Sequence, residues 1–510
     1  MKFRAYAMPF EAPRHILSQL KFPDRYERLS SLLGSRVAEL LIPPPEEVLL
    51  GLRSIAHSVD TRGEGFFLPL SGPTGTGKTT LANSLSAFLP EYFCQTFEHP
   101  ESSTITFESL QTTAIKGREL TSLDDHRILP INVDNREGAP PSERELAEIK
   151  RFLRSPKTGN KAIVIWPETS QSIAQQIGKD FQQIAGATII PLPFEAKGPP
   201  RDTWQDTALH ILHLCNEITS LEELGINPKN YEPSKYSTLG EFLKKISIDF
   251  DTQSAELRAS TQKPLHLLIT FVSESIEAGA LTHLTTPSKY GLLDANGLLN
   301  ATKDSAIGKW WSARRALLTQ SIIKLNARAF HLPPSTSMIV LRRFGPEDVV
   351  KKLNALTKKP KSKLPRADQS RVAEYVRRTD LGKYMSNSTA TAYETRGRPP
   401  EEAKAAFAAM AKQGIWTAGK DKQLNGAMLE ALKIFLASAN MKVSEAQHEK
   451  AIDGLPLIPD NSMRIGEQVF CVEYAWRSGD YLDSGNRSEA AQYCLNKLKN
   501  YALAFGWTAH

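Results

Sequence analysis

The residues best suited to chemistry lie in the sequence GPTGTGKTT, which occupies positions 72–80. This stretch fits the pattern G-x-x-x-x-G-K-[ST], and it lies between a short apolar run and an amphipathic run, as a strand–loop–helix unit requires. Glycines let backbone N–H groups approach phosphate oxygens, the lysine brings positive charge to the β- and γ-phosphates, and the threonine hydroxyl can ligate Mg²⁺. The pattern predicts a nucleotide-binding loop, with a glycine-rich loop that binds no nucleotide as the alternative. The predicted binding residues, for ATP with Mg²⁺, are Gly72, Pro73, Thr74, Gly75, Thr76, Gly77, Lys78, Thr79 and Thr80.

Hydrolysis of a bound nucleotide also needs an acid that holds the metal ion and a group that orients the attacking water. Asp134 ends the predicted strand RILPINVD and is the first candidate for the metal-binding acid, together with Thr79. Glu137 is a candidate for polarising the water, with an ordinary loop acid as the alternative. Glu168 competes for that role because it also follows a buried-type strand, KAIVIWPETS. The predicted catalytic residues of this site are therefore Lys78, Asp134, Glu137 and Glu168.

Apolar strands and amphipathic helices alternate around these residues. Strands are predicted at 65–72, 127–134, 161–170 and 187–194, and helices at 43–59, 79–89, 142–154 and 171–186. The helix at 142–154 begins with a serine followed three residues later by glutamate, the signature of a capping box. Such alternation predicts an α/β fold with a parallel sheet covered by helices.

The order of these elements, over residues 45–250, resembles an AAA+ module. In that family the strand bearing the metal-binding acid is followed by a helix and by a strand that ends in a polar sensor residue, and Glu168 or Thr169 stands at that place. The next helix normally carries an arginine finger, but this chain has no arginine between residues 155 and 200. Arg201 begins a helical stretch and is a candidate for a second sensor.

A second group of chemistry-bearing residues lies near the C-terminus. Asp460 follows a proline, and Glu473 lies in the strand QVFCVEYAW. With the preceding helix, which carries Glu430, and the helix that follows the strand, this layout resembles the PD-(D/E)xK nuclease superfamily. The resemblance implies that Asp460 and Glu473 bind Mg²⁺ and act in catalysis. The alternative is an α/β domain with two unrelated acids.

The sequence departs from that superfamily at the position of its lysine. Alternation along VEYAW puts Glu473 and Ala475 on the same face of the strand, so Ala475 stands where the family carries the lysine that positions water. Arg477 is next on that face and would have to reach back. Lys497 and Tyr501 resemble the Gln-x-x-x-Tyr pair by which RecB-type members contact substrate, with lysine replacing glutamine. Two interpretations of this domain remain: an active nuclease, and an inactive domain that only binds DNA.

The positive charge of the chain is concentrated in one segment. Of the 510 residues, with a net charge of +7, residues 351–384 hold eleven lysines and arginines against three acids, a net +8. A local basic segment beside a nucleotide-binding domain indicates a polyanionic partner such as DNA or RNA. The alternative is a solvated linker.

An amphipathic helix is predicted for the sequence KWWSARRALLTQSIIKLNAR. Its tryptophans and arginines can stack on bases and contact phosphates. A core face with arginines that extend to solvent is the favoured interpretation.

Length predicts about three domains of ~150 residues. The predicted segments are an N-terminal helical segment (1–44), the nucleotide-binding core (45–200), a lid or middle region (201–350), a basic linker (351–399) and a nuclease-like domain (400–510). The four cysteines are widely separated, so neither a disulfide framework nor a cysteine zinc site is expected. The N-terminus lacks the apolar run of a signal peptide and no stretch is apolar enough to span a bilayer, so a cytoplasmic protein without membrane partners is expected.

Together these features predict an ATPase that couples nucleotide state to DNA engagement or cleavage, as a homo-oligomer. Nucleic acid would bind the basic segment 351–384 and the C-terminal domain. By architecture the combination resembles proteins of bacterial mobile elements and antiphage defence. The main alternative is an ATP-gated switch that docks a partner effector protein without nucleic acid. A small-molecule kinase is less favoured, because no acceptor-site pattern accompanies the loop.

Overall fold

The computed structural model describes most of the chain, and the described residues form two compact units. They are residues 16–100, 104–121, 125–134, 136, 138–259, 265–275, 277–286, 289–357, 368–386, 401–416, 421–452 and 457–508. We call Phe22–Cys215 with Asn227–Asp251 the loop unit, and Met1–Lys21 with Asn216–Ile226 and Thr252–His510 the C-terminal unit. Glu137 and the lysines at 358, 359, 361 and 363 lie outside the described residues.

The loop unit is built on a parallel sheet. Its strands are β1 (Phe66–Ser71), β2 (Phe97–Glu98), β3 (Leu129–Asn132), β4 (Ala162–Glu168) and β5 (Phe194–Glu195). The helices are α1 (Tyr26–Leu33), α2 (Glu46–Arg62), α3 (Lys78–Asn83), α4 (Leu85–Phe88), α5 (Phe107–Thr121), α6 (Glu143–Leu153), α7 (Gln171–Ala185), α8 (Trp204–Asn216) and α9 (Leu239–Ala259), of which α8 and α9 end in residues assigned to the C-terminal unit. The strand order is β2-β3-β4-β1-β5, and all four pairings are parallel. The α/β class and the parallel sheet expected from the alternation are therefore present.

Alternate residues of the central strands enter two separate cores. Phe66, Leu68 and Leu70 of β1 pack with buried residues of α2 and α3, whereas Phe67 packs with those of α6 and α7. A sheet buried on both faces needs strands that are apolar throughout, and every residue of β1 and β4 is buried. Strand β1 lies between β4 and β5, and residues 72–77, which we call the phosphate loop for their predicted role, follow its carboxyl end.

Three local predictions in the loop unit have clear outcomes. The capping box at the start of α6 is confirmed, with Ser142 and Glu145 each accepting the other's backbone N–H. The helix expected at 79–89 is interrupted at Ser84 and forms α3 and α4. The strand expected at 187–194 is reduced to the two residues of β5, because prolines at 191 and 193 lack the N–H groups that a central strand donates.

The C-terminal unit contains a seven-stranded mixed sheet. Its strands are β6 (Leu265–Val272), β7 (Thr285–Thr286), β8 (Leu292–Leu293), β9 (Arg328–Leu332), β10 (Val443–His448), β11 (Asn461–Ile465) and β12 (Gln468–Trp476). The helices are α10 (Gly279–Thr282), α11 (Ala295–Ala301), α12 (Ala306–Ser312), α13 (Arg315–Lys324), α14 (Pro334–Phe344), α15 (Glu347–Thr357), α16 (Gln369–Arg377), α17 (Asp380–Met385), α18 (Glu401–Lys412), α19 (Asp421–Ser438) and α20 (Arg487–Ala504). The order is β10-β11-β12-β6-β9-β8-β7, with β6 parallel to both β12 and β9.

This sheet joins segments that the sequence analysis assigned to different domains. Strands β6 and β9 come from the expected middle region, and β12 from the expected nuclease-like domain, yet β6 pairs with β12 over eight residues. Both strands are almost wholly buried, so each requires a neighbour on either side. The described part of the expected basic linker is also folded, since Val372, Val376 and Leu381 are buried in the core of this unit.

The helix predicted for KWWSARRALLTQSIIKLNAR is divided in the structure. It forms α12 and α13, and its last residue, Arg328, begins β9. Short 3-10 helices complete the two units, at Ile16–Gln19, Gly34–Leu40, Gly159–Lys161, Arg201–Thr203, Leu221–Leu224, Pro228–Asn230, Pro233–Lys235 and Ser484–Asn486. Across the described ranges, no helix combines the length and the apolar character needed to cross a bilayer.

Candidate functional sites

The phosphate loop joins the end of β1 to the start of α3. Gly75 and Gly77 have φ angles of +85° and +88°, which side chains other than glycine rarely adopt. The loop turns back on itself, with the N–H of Thr76 donating to the carbonyl of Pro73. Pro73 and Thr74 are exposed, while Thr79 and Thr80 at the start of α3 are partly exposed. The glycine pattern thus corresponds to a local backbone path that needs glycine.

Lys78 connects this loop to the end of the neighbouring strand β4. Its ammonium group donates to the carbonyl of Gly72 at 2.8 Å and to the hydroxyl of Thr169 at 3.0 Å, and the residue is 6% exposed. Thr169 directly follows β4, where the resemblance to AAA+ modules placed a sensor residue. The structure therefore brings together two residues that the sequence analysis assigned to one site from motifs 91 residues apart.

The predicted acids lie after two adjacent parallel strands. Ser71 at the end of β1 is in register with Glu168 of β4, and Asn132 of β3 with Ile165 of β4. Asp134 is two residues beyond β3 and partly exposed. The carboxyl ends of parallel strands share one edge of the sheet, so Asp134, Glu168 and the phosphate loop follow neighbouring strand ends.

Glu168 is held by backbone groups on both sides. It is 1% exposed, and its carboxylate accepts the N–H of Ser170 at 2.8 Å and the N–H of Gly138 at 3.0 Å. These contacts tie the loop after β3 to the end of β4. Arg201, the candidate second sensor, is exposed and lies with its guanidinium 5.7 Å from the ring centroid of Trp204.

The C-terminal unit brings Asp460 and Glu473 into one cluster with α20. Lys497 donates to one carboxylate oxygen of Glu473 at 2.5 Å, and the Tyr501 hydroxyl donates to the other at 2.8 Å. Asp460 accepts the backbone N–H of Tyr474 at 2.7 Å. Glu473 is 3% exposed, so its charge is compensated inside the protein rather than by water.

Burial and charge change the pKa values in this cluster. Burial, and then the negative charge of Glu473, raises the pKa of Asp460 to about 6. Burial alone would lower the pKa of the Lys497 ammonium, but the Glu473 carboxylate beside it raises that pKa above its ordinary value. Burial also raises the pKa of Tyr501, which therefore stays protonated as a hydrogen-bond donor. The cluster holds two acids and one firmly protonated lysine.

The other residues predicted around this site have different surroundings. Ala475 is 1% exposed and pairs with Phe271 of β6, so its position is filled by apolar packing. The Arg477 guanidinium lies 5.5 Å from the ring centroids of both Tyr481 and Tyr493. Glu430 is exposed and paired with Lys433 on α19.

The two adjacent tryptophans of α12 have separate roles. Trp311 is fully buried and its indole N–H donates to the carbonyl of Leu495 in α20, as the favoured core interpretation expected. Trp310 is partly exposed, with the guanidinium of Arg314 at 4.3 Å and the ammonium of Lys499 at 4.7 Å from its ring centroid. The aromatic and basic residues of this segment are therefore partly core and partly surface.

The sequence analysis did not identify the residues that hold the phosphate loop by hydrogen bonds to its carbonyl groups. Thr238 and Gly240, at the start of α9, contact the carbonyls of Thr74 and Gly75. These residues follow the loop by more than 150 positions, and the only signal in the sequence is a glycine in the first turn of a helix.

The acids of the C-terminal cluster provide a limited ligand set for a metal. Within the ranges described, no three or more His, Cys, Asp or Glu residues are grouped so as to hold a metal ion. Asp460 and Glu473 provide two carboxylates, which suits Mg²⁺ because that ion keeps several waters and often binds only one or two carboxylates with substrate phosphate. A cation here would share Glu473 with Lys497 and Tyr501.

Comparison of the chain with protein-family models, with curated proteins and with solved structures gives no match.

Proposed function

We propose that this protein binds and hydrolyses ATP and couples its nucleotide state to the engagement of nucleic acid. The observation that carries the proposal is the contact of Lys78 with Thr169, which joins a glycine loop of the right pattern to the end of the adjacent parallel strand. A loop between a central strand and a helix, with its lysine held over it, suits the phosphates of a nucleoside triphosphate.

Each residue of the loop site has a defined task in this proposal. Backbone N–H groups within 74–79 bind phosphate oxygens, and Lys78 leaves the carbonyl of Gly72 to contact the terminal phosphates. Thr79 and Asp134 hold Mg²⁺, which neutralises charge on the phosphates when bound. Glu168 and Glu137 are the candidates for orienting water. Glu168 also accepts the backbone N–H groups of Gly138 and Ser170.

The test of ATP binding and hydrolysis uses Lys78→Ala with a matched control. Removing the ammonium group should lower the rate of ATP hydrolysis by about 100-fold or more, as for other groups that stabilise transferred phosphate. Lys179→Ala removes an exposed lysine from α7 of the same unit and should leave the rate unchanged. Phosphate release by the purified protein is the measurement. Equal rates in Lys78→Ala and wild type would contradict the proposed site.

The proposal of nucleic-acid engagement rests on the distribution of positive charge. Within the segment 351–384, Arg371, Arg377 and Arg378 are exposed on or beside α16, and Lys351 and Lys352 are exposed on α15. Exposed cations in one segment attract a phosphate backbone, and the attraction decreases steeply with salt. DNA, in double-stranded and single-stranded form, is the simplest partner with which to test this proposal.

A second candidate function, cleavage of phosphodiester bonds, is favoured by the cluster on β12 and α20. Two acids lie close enough that Glu473 raises the pKa of Asp460, and a divalent cation would relieve their repulsion. Lys497 lies on the same face as Ala475 and supplies from α20 the positive charge that this strand position lacks. In hydrolysis the oxygen of water bonds to phosphorus, the bond to the leaving ester oxygen breaks, and that oxygen takes a proton.

Cleavage of plasmid and linear DNA with Mg²⁺ or Mn²⁺ tests this second function. Wild type should cut, Asp460→Ala should not, and Lys497→Ala should lose at least about 100-fold in rate if its ammonium group acts in the reaction. The sharpest comparison is the double variant Lys497→Ala with Ala475→Lys, which returns a lysine to the strand. Rescue of cleavage by the double variant would establish that Lys497 replaces the strand lysine. Absence of cleavage by wild type would contradict nuclease activity and would indicate a domain that only binds nucleic acid.

A further inference from the structure

We propose that the first turn of α9 positions the phosphate loop, with Gly240 as a positioning residue for the nucleotide. This inference rests on the proposed ATP site and extends it to a segment with no motif for nucleotide binding. Its evidence lies entirely within the loop unit, in hydrogen bonds, in close backbone packing and in the aromatic residues that fix α9.

Two hydrogen bonds join the start of α9 to carbonyl groups of the loop. The N–H of Gly240 donates to the carbonyl of Gly75 at 2.9 Å, and the hydroxyl of Thr238 donates to the carbonyl of Thr74 at 3.3 Å. The Thr238 oxygen also accepts the N–H of Glu241 at 3.2 Å, as a helix-capping residue does. Because α9 engages the carbonyls of Thr74 and Gly75, its hydrogen bonds to the loop occupy none of the loop N–H groups.

The packing at this contact leaves no room for a side chain. A Cβ atom on Gly240 would lie 2.6 Å from the Cα of Gly75 and 3.1 Å from its carbonyl oxygen. A Cβ atom on Gly75 would lie 3.0 Å from the Cα of Gly240, and Gly75 also has the φ of +85° that favours glycine. The two backbones touch directly, so the position of α9 sets the position of the loop.

The start of α9 is itself held by aromatic residues. Phe242 is fully buried, and its ring centroid lies 5.8 Å from that of Trp204, 6.4 Å from that of Tyr231 and 5.5 Å from that of Tyr236. Tyr231 in turn donates to the carboxylate of Asp249, two turns further along α9. The loop is therefore supported by an element that packs against α8 through Phe242 and Trp204.

A rigid support of this kind determines nucleotide affinity without touching the nucleotide. Phosphate binding requires several loop N–H groups to converge on one set of oxygens, and a displacement of about 1 Å can cost about 100-fold in binding or rate. A methyl group on Gly240 must displace either α9 or the loop, because it would lie 2.6 Å from the Cα of Gly75. The nucleotide site should therefore lose affinity.

The experiment measures the dissociation constant and the KM for ATP in Gly240→Ala. Both should rise by about tenfold or more. The melting temperature without nucleotide should fall, because the added methyl group meets the backbone of Gly75, but the variant should stay folded at the assay temperature, and weak ATP binding by a folded variant separates positioning from loss of folding. Lys244→Ala, an exposed change one turn further on α9, is the matched control and should bind ATP as wild type does.

A second pair of variants tests the same contact through the hydroxyl of Thr238. Thr238→Val keeps the shape of the side chain but removes the donor to the carbonyl of Thr74, so it should weaken ATP binding. Thr238→Ser keeps the hydroxyl and should bind ATP as wild type does. Unchanged ATP binding in both Gly240→Ala and Thr238→Val would overturn the inference while the ATP site stood. Failure of wild type to bind ATP would overturn the proposed site and the inference together.

Discussion

Asp460 directly precedes β11 and Glu473 lies on the adjacent strand β12, and the two acids have different hydrogen-bond partners. Glu473 has both oxygens engaged by donors from α20, one of them the positive Lys497. Asp460 has one backbone donor and the repulsion of Glu473, and burial with that repulsion raises its pKa to about 6. Near neutral pH the cluster therefore holds a carboxylate that is ionised at an energetic cost, which a cation would offset.

This raised pKa predicts a definite dependence of stability on pH. Between about pH 4 and pH 6 the unfolded chain has lost the Asp460 proton while the folded protein retains it, so stability falls as pH rises through this window. Asp460→Asn removes that loss and should stabilise the protein above pH 6, by ~3 kcal/mol at most, with little gain below pH 4. Urea unfolding at several pH values is the measurement. Asp483→Asn, an exposed change in the same unit, should follow wild type.

The affinity for a divalent cation should also depend on the ionisation of Asp460, but it should rise with pH where stability falls. The ionised form of Asp460 binds a cation, so affinity for Mn²⁺ should rise as pH increases through about 6. An affinity that is independent of pH between 5 and 7 would show that Asp460 is not a ligand.

At the scale of elements, the sequence predicts the loop unit far better than the C-terminal sheet. The strand, glycine loop and helix around Lys78 are consecutive in the chain, and the capping box of α6 is likewise local, so pattern alone identifies them. The pairing of β6 with β12 joins residues about 200 positions apart. Both strands read as apolar runs, and nothing in such a run specifies its partner.

The same limit explains what was missed at the sites. The resemblance to RecB-type members implies that Lys497 and Tyr501 contact substrate, but their pairing with Glu473 depends on how α20 packs on β12. The contact of Gly240 with Gly75 likewise depends on how α9 folds back onto the loop. The spacing of residues within one helix or strand does not predict which side chains of another element they contact.

The attachment of α20 to β12 yields a prediction for Lys497. Lys497→Met leaves the buried Glu473 without its cation, and breaking a buried ion pair on one side costs about 3–5 kcal/mol. Lys499→Met changes a neighbouring lysine of α20 whose ammonium lies over Trp310, and should cost about 1 kcal/mol or less. Calorimetric unfolding of both variants is the measurement. Equal stability in the two variants would mean that the pair with Glu473 contributes little.

At the scale of the whole molecule, each unit carries one candidate site for phosphate chemistry. The loop unit carries the proposed nucleotide site, and the C-terminal unit carries exposed cations and an acid–lysine cluster. The competing hypothesis is a switch that docks a partner protein and uses no nucleic acid. The lysines at 358, 359, 361 and 363 separate the two, because reversing their charge should weaken DNA binding and reduce its dependence on salt only if DNA is the partner.

The most direct test of the proposed coupling is the affinity for DNA in different nucleotide states. Wild type and Lys78→Ala are compared at fixed salt with no nucleotide, with ADP, and with a non-hydrolysable ATP analogue, by fluorescence anisotropy of labelled DNA. We predict that the wild-type dissociation constant differs by about fivefold or more between the ADP and ATP-analogue states, a coupling of typical size. Lys78→Ala should bind DNA equally in all three. The proposed coupling would be contradicted if wild type bound DNA with the same dissociation constant in all three nucleotide states. It would also be contradicted if wild type hydrolysed ATP but did not bind DNA.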